Sequence, residues 1–75
     1  NIYSMKLSFT DQKIKDIVME INKLEGKIPA HLLDPLFSIH NSLFTDTKEY
    51  NKGCSKCRTR TFGRVQTYYN QNILD

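Results

Sequence analysis

Apolar residues recur at helical spacing in the first third of the chain. The positions that follow one another at intervals of three or four residues are Ile14, Ile17, Val18, Ile21 and Leu24. Such spacing places them on one face of a helix, with charged side chains around the rest of it. Ser8 or Thr10 is suited to cap this helix, and Gly26 to end it. The pattern therefore predicts an amphipathic helix over residues 10–25.

A second apolar face follows. Its members, with His40 on the same side, are Leu32, Leu33, Leu36, Phe37, Leu43 and Phe44. Pro29 suits the first turn of this helix. Pro35 leaves two interpretations open: a helix that begins at Pro35 behind an Asp34 N-cap, or a longer helix that bends there. Both interpretations bury the same face.

The secondary structure of the segment from Cys57 to Asp75 has two interpretations. A helix would bring Cys57, Thr61, Val65, Tyr68 and Asn72 to one face, flanked by Phe62 and Tyr69. A strand would instead alternate from Arg58 to Thr67 with good β-propensity. Gly63 costs the helix about 1 kcal/mol relative to alanine. A strand of this length without a hairpin partner is nevertheless unfavourable in so short a chain, so we predict a helix.

The N-terminal residues alternate with the period of a strand. The apolar side of this pattern consists of Tyr3, Met5, Leu7 and Phe9. A lone strand must pair, either within the chain or by addition to the sheet edge of a partner protein. The alternative is an extended arm, with Asn1–Ser4 as residual vector sequence before a native Met5. We expect an all-α fold: a small three-helix bundle over residues 10–75, preceded by an extended arm, residues 1–9.

Composition limits the class of protein. Leu, Ile, Val and Phe account for 20 of 75 residues, a share above the roughly 20% below which chains stay disordered. The length allows one domain. No apolar run approaches the ~20 residues of a membrane span, and no stretch is typical of a signal peptide. We therefore expect no membrane partner, and a cytoplasmic location rather than secretion.

Positive charge is concentrated in the second half of the chain. The whole net charge of +3 arises after residue 44, and only Glu49 opposes six cations between Lys48 and Arg64. A candidate phosphate-binding patch consists of Lys52, Lys56, Arg58, Arg60 and Arg64. Tyr68 and Tyr69 are placed to stack bases if this segment is helical. The competing interpretation is a solvated basic helix face.

Cys54 and Cys57 form a CxxC motif with three open interpretations. As half of a tetrahedral zinc site, they would need His40 and His31 as further ligands, at irregular spacing. As a redox pair they would lie among cations at a helix N-terminus, but no βαβ pattern surrounds them. As small apolar residues they would simply cap the core. Zinc is thus the one candidate cofactor.

No residue pattern indicates catalysis. The sequence contains no nucleophile elbow, no glycine-rich phosphate loop and no carboxylate pair at the spacing of one helix face. A chain of this length also has little room to enclose a substrate. We expect a protein that is not an enzyme.

One stretch carries a family resemblance. The residues Leu36–Phe44, followed by a polar loop and by Cys-x-x-Cys-Arg at positions 54–58, lead into the last helix. This arrangement resembles small helical proteins of tailed bacteriophages that infect Bacteroidetes-type bacteria, over residues 32–70. The resemblance implies a virus-encoded accessory or virion component and singles out His40, Asn41, Cys54, Cys57 and Arg58.

These observations favour a non-enzymatic interaction or structural module. We expect a minor phage virion or assembly protein that docks on a larger assembly, such as capsid or tail components, through the apolar side of its N-terminal arm. The alternative is a small nucleic-acid-binding accessory protein that uses its basic patch. The sequence does not indicate an oligomeric state.

Overall fold

The computed structural model describes residues 9–73, with the backbone alone described at Phe9. This range contains the helices α1 (Phe9–Lys23), α2 (Ala30–Leu43) and α3 (Ser55–Asn72), and a short 3-10 turn at Thr45–Thr47. It contains no strand, so the predicted all-α fold is confirmed. Helix α1 begins at Phe9, one residue before the expected boundary of the helical domain. The docking residues Tyr3, Met5 and Leu7 lie outside the described residues, and so does the side chain of Phe9.

Helix α1 buries the predicted apolar stripe. Ile14, Ile17, Val18 and Ile21 are between 0% and 6% exposed. Leu24, the last member of the stripe, is 40% exposed, so its predicted burial is wrong. The reason is that α1 ends at Lys23, and Leu24 already belongs to the turn that reverses the chain.

The C-terminus of α1 is closed by a Schellman motif. The Gly26 N–H donates to the Ile21 carbonyl at 3.0 Å, and the Glu25 N–H donates to the Asn22 carbonyl at 3.0 Å. Both Glu25 (φ 58°) and Gly26 (φ 86°) have positive φ. The first left-handed position, where glycine is usual, is therefore filled by glutamate, and Gly26 lies one residue further along.

Helix α2 continues through Pro35 without a break, so the longer of the two helices considered is the correct one. Proline has no N–H to donate to the carbonyl one turn earlier, but the helix extends a full turn on either side of it. Pro29 is the N-cap, with extended backbone, and so lies one residue before the first turn. Leu36 and Phe37 are buried, and His40 is 0% exposed.

Helix α3 packs against both α1 and α2, which confirms the helical interpretation of this segment. Its buried residues are Cys57, Thr61, Phe62, Val65 and Tyr69. Tyr68 is only half-buried and Asn72 is exposed. The buried face of α3 is thus rotated toward Phe62 and Tyr69, the two positions expected to flank it. From α3, Phe62, Val65 and Tyr69 join one core between the three helices, whose other buried members are Ile14, Ile17, Val18, Ile21, Leu36 and Phe37.

Within residues 9–73, no helix combines the length and apolar character needed to cross a membrane.

Candidate functional site

Cys54 and Cys57 are joined by a disulfide at the start of α3. Cys54 is the N-cap residue, and its Sγ accepts a hydrogen bond from the Cys57 N–H at 3.1 Å. Cys54 is half-buried, whereas Cys57 is 9% exposed. The motif therefore performs a local structural task, since its first sulfur takes the place of the side-chain oxygen that usually caps a helix.

Asn41 fastens the connection between α2 and α3 to the end of α2. Its Nδ2 donates to the Glu49 carbonyl at 2.9 Å, and its Oδ1 accepts from the Glu49 N–H at 2.8 Å. The amide donates one hydrogen bond to the Glu49 backbone and accepts one from it, as two paired residues do in a β-sheet. The two contacts also fix which end of the amide is the oxygen.

The orientation of Asn41 sets the tautomer of the buried His40. His40 Nδ1 lies 2.9 Å from Asn41 Oδ1, and because an amide oxygen only accepts, Nδ1 is the nitrogen that carries hydrogen. His40 Nε2 is then an acceptor, and Arg64 Nη1 donates to it at 3.3 Å. The ring also lies 5.1 Å from the Phe44 ring. His40 is therefore a fully engaged polar member of the core.

Arg60 and Arg64 reach from α3 to the same connection. Arg60 Nη2 forms an ion pair with Glu49 Oε1 at 3.1 Å, and Arg64 Nη1 also donates to the Thr47 carbonyl at 3.4 Å. The hydrogen bond from Arg60 lowers the pKa of the Glu49 carboxyl below its ordinary value of 4.5. Burial opposes this, while the Arg60 charge and the backbone N–H groups of Asn51 and Tyr50 assist it.

The contacts of these side chains form one connected polar cluster, which we call the α2–α3 clamp. Its members are His40, Asn41, Glu49, Arg60 and Arg64. Sequence reasoning singled out His40 on the apolar face of α2 and as a candidate zinc ligand, and Asn41 only through the family resemblance. It placed the two arginines in a phosphate-binding patch. In the sequence, Glu49 is noted only as the one acid among six cations. Its position among so many cations indicates that one of them pairs with it.

The remaining members of the basic patch have separate surroundings. Lys52 Nζ lies 3.1 Å from Asp34 Oδ1, and Arg58 Nη2 donates to the Gly53 carbonyl at 3.4 Å. Lys56 is exposed. The structure brings Arg60 and Arg64 together, whereas Lys52 and Arg58 turn toward other groups of the protein. The five cations therefore do not form one free surface.

The structure does not assemble the zinc site considered from the sequence. His31 is exposed near the start of α2, and His40 contacts Asn41 and Arg64 through its two ring nitrogens. The sulfurs of Cys54 and Cys57 are bonded to each other. Residues 9–73 contain no group of three or more His, Cys, Asp or Glu side chains placed to hold a metal ion.

An open groove runs along the face of α3 next to the clamp, and we call it the α3 groove. Its volume is about 450 Å³, and it is lined by Phe44, Arg60, Gly63, Arg64, Thr67, Tyr68 and Gln71. A Cβ at Gly63 would meet no atom within 4 Å, so the floor of the groove is empty at this position. In the sequence Gly63 indicated only a cost to the helix, because nothing local shows that two aromatic rings flank it.

Comparison with protein-family models, with curated proteins and with solved structures finds no match to this chain.

Proposed function

We propose that the protein is a non-enzymatic interaction module that docks on a larger protein partner through the α3 groove. The observation that carries this proposal is Gly63, an internal helical glycine at the floor of an open groove with no atom of the protein near its missing side chain.

The packing of the protein itself does not require a glycine at this position. Glycine inside a helix costs about 1 kcal/mol relative to alanine. A glycine often marks a close approach of two backbones, but here no atom beyond the adjoining residues and the backbone of α3 itself would lie within 4 Å of a Cβ. A binding partner would explain the glycine, because the partner could contact the α3 backbone directly at Gly63.

The walls of the groove define the chemistry of the partner. Phe44 and Tyr68 offer half-buried aromatic surface, and Arg60 and Arg64 place cations at the same edge. The Arg60 side chain remains 51% exposed while it is paired with Glu49. The fitting partner is an amphipathic segment with an apolar side chain for the floor and carboxylates for the arginines.

The N-terminal arm adds a second contact in this proposal. Its apolar residues Tyr3, Met5 and Leu7 would pair with the partner as an added strand, which ends where α1 begins at Phe9. The resemblance to bacteriophage proteins extends the proposal to a minor virion or assembly component, and this extension rests on the resemblance alone.

The test fills the groove without harming the helix. Gly63→Leu places a branched side chain on the floor, whereas Gly63→Ala adds a single methyl group, so the two variants fill the groove by different amounts. The probe is a synthetic amphipathic peptide with leucine and phenylalanine on one face and glutamate on the other. Its binding to the full chain is followed by ¹⁵N chemical-shift mapping.

We expect shifts at Phe44, Gly63 and Tyr68 in the native chain, weaker binding by Gly63→Ala, because its methyl group lies where the partner would meet the α3 backbone, and still weaker binding by Gly63→Leu. Equal affinity in all three proteins would overturn the proposal. A second experiment deletes residues 1–8, and the proposal expects weaker association with the partner once the arm is removed.

Nucleic-acid binding is a distinct outcome of the same assay. A single-stranded oligonucleotide as probe would then bind with an affinity that falls steeply with salt, and replacement of Arg58, Arg60 and Arg64 by alanine would abolish binding. That result, together with no binding of the acidic peptide, would replace the docking proposal.

A further inference from the structure

We propose that the Cys54–Cys57 disulfide is a redox-active site that a dithiol reduces reversibly, and that Arg60 sets its equilibrium. Three groups meet there: the disulfide, the N-terminus of α3 and the Arg60 guanidinium. Arg60 Nη2 lies 3.7 Å from Cys57 Sγ. The inference is independent of the docking proposal, because it concerns the chemistry of the disulfide rather than the occupant of the groove.

Each sulfur has a partner that stabilises negative charge. Cys54 Sγ accepts the Cys57 N–H at 3.1 Å, at the positive end of the α3 dipole. Cys57 Sγ faces the Arg60 guanidinium. Thiolates at helix N-termini and beside arginine are favoured over the thiols. Both contacts therefore stabilise the reduced pair more than the neutral disulfide, and this makes a disulfide more oxidising.

Access to the two sulfurs is unequal. Cys54 is half-buried and Cys57 is 9% exposed, so an external thiolate attacks Cys54 Sγ. The bond to Cys57 breaks, and its electron pair leaves on Cys57 Sγ beside Arg60. A mixed disulfide then joins Cys54 to the reductant.

The second thiolate of the dithiol completes the exchange. It attacks the reductant sulfur of the mixed disulfide, so Cys54 leaves as a thiolate and the reductant departs as a disulfide. Two electrons pass from the dithiol to the protein. The two protons lost by the dithiol go to solvent, or to the cysteine sulfurs to the extent that these become thiols.

Arg60 also connects the disulfide to the α2–α3 clamp. Its Nη2 donates to Glu49 Oε1 at 3.1 Å and to Cys57 Sγ at 3.7 Å. Once the disulfide is reduced, the Glu49 carboxylate and the Cys57 thiolate therefore compete for one cation. A Cys57 thiolate would draw Arg60 away from Glu49. Reduction is therefore expected to loosen the hold of the clamp on the α2–α3 connection.

This competition predicts opposite effects from two substitutions. Arg60→Gln removes the cation from Cys57 and should lower the equilibrium constant for reduction by about tenfold, which corresponds to about 30 mV. Glu49→Gln removes the competitor and should raise the same constant. Lys23→Gln is the control, because it removes an exposed cation at the end of α1 that takes no part in the clamp, and it should leave the constant unchanged.

The measurement equilibrates the full chain in mixtures of reduced and oxidised dithiothreitol at pH 7. Acid quenching, alkylation and mass spectrometry then give the reduced fraction. Arg60→Lys retains the charge and should restore part of the native value. If the role of Arg60 were purely structural, Arg60→Gln and Glu49→Gln would not change the equilibrium constant for reduction in opposite directions. Far-UV circular dichroism confirms that each variant is folded.

Two results would overturn the inference. One is an equilibrium constant that changes in the same direction, or not at all, in Arg60→Gln and Glu49→Gln. The other comes from native mass spectrometry of protein prepared under reducing conditions without chelator: one zinc ion per chain, with helical signal lost on adding EDTA, would assign the cysteines to a metal site. A reduced, metal-free chain that retains its helices supports reversible reduction.

Discussion

Thr61 is buried in the middle of α3 with a hydroxyl that has no hydrogen-bond partner. The residue is 1% exposed, and its Oγ1 makes no contact with a donor or acceptor. A buried polar group without a partner costs about 1–3 kcal/mol. Thr61→Val keeps the shape and removes this cost, so we expect the free energy of unfolding to rise by about 1 kcal/mol. Chemical denaturation measures it.

The control for this prediction is Thr61→Ala. It removes the same hydroxyl together with a buried methyl group, and the resulting cavity offsets the gain. If Thr61→Val were as destabilising as Thr61→Ala, the hydroxyl would have a partner in solution.

Glu25 occupies a backbone conformation that favours glycine. Its φ of 58° lies in the left-handed region, at the position of the Schellman motif where glycine is most frequent. We expect Glu25→Gly to raise the free energy of unfolding by up to about 1 kcal/mol, because relief of strain exceeds the added flexibility of the unfolded chain. Thermal unfolding tests this, and Glu25→Ala, which keeps the strain, should show no such gain.

Asn41 is the side chain that pairs with the backbone of the connection between α2 and α3 at Glu49. Asn41 satisfies both backbone groups of Glu49, and Asn41→Ala leaves them without partners. We expect a loss of about 1–3 kcal/mol in the free energy of unfolding and faster amide hydrogen exchange at Glu49.

The neighbouring exposed residue of α2 provides the control for Asn41. Ser42→Ala should change stability by less than about 0.5 kcal/mol and leave exchange at Glu49 unaltered. Unchanged exchange in Asn41→Ala as well would mean that other contacts hold the connection.

The connection between α2 and α3 also makes stability depend on pH, through Glu49. The pKa of Glu49 is lowered in the folded protein, first by the hydrogen bond from Arg60. The Glu49 carboxylate therefore binds a proton more readily in the unfolded state. The stability that this carboxylate contributes is fully present above its unfolded pKa. It is lost as pH falls through the lower, folded value. We expect the stability difference between the native chain and Glu49→Gln to shrink between neutral pH and acid pH.

Denaturation at a series of pH values measures this difference. Glu20→Gln, at an exposed position of α1, is the control and should show no comparable change. A stability difference for Glu49→Gln that is the same at neutral and at acid pH would contradict the assignment of Arg60 as the partner of Glu49.

At the scale of the whole molecule, α3 combines two tasks. One side buries Val65 and Phe62 against the other helices, and the other side carries the arginines of the clamp and the floor of the α3 groove. The disulfide closes the N-terminus of the same helix. The candidate docking surface and the candidate redox site thus share Arg60, so a change at one can reach the other through a single side chain.

The sequence by itself determined α1, the second helical segment and most of their buried faces, and it favoured a helix over a strand for α3. Helical periodicity is a local property, since residues three and four apart are neighbours on one face whatever else surrounds them. Ile14, Ile17, Val18 and Ile21 are buried for this reason. The continuity of α2 through Pro35 was left open, because local sequence tolerates both a start and a bend at proline.

Only the tertiary structure decided what the polar residues do. Arg64 meets His40 from 24 residues away, and Arg60 meets Glu49 from 11 residues away, across a connection whose path no periodicity fixes. Two of the five cations in the expected basic patch, Arg60 and Arg64, therefore belong to the clamp. The groove beside Gly63 likewise forms only when Phe44 and α3 come together. Partner choice among charged side chains depends on distance in space, whereas the pattern of a helix depends on distance along the chain.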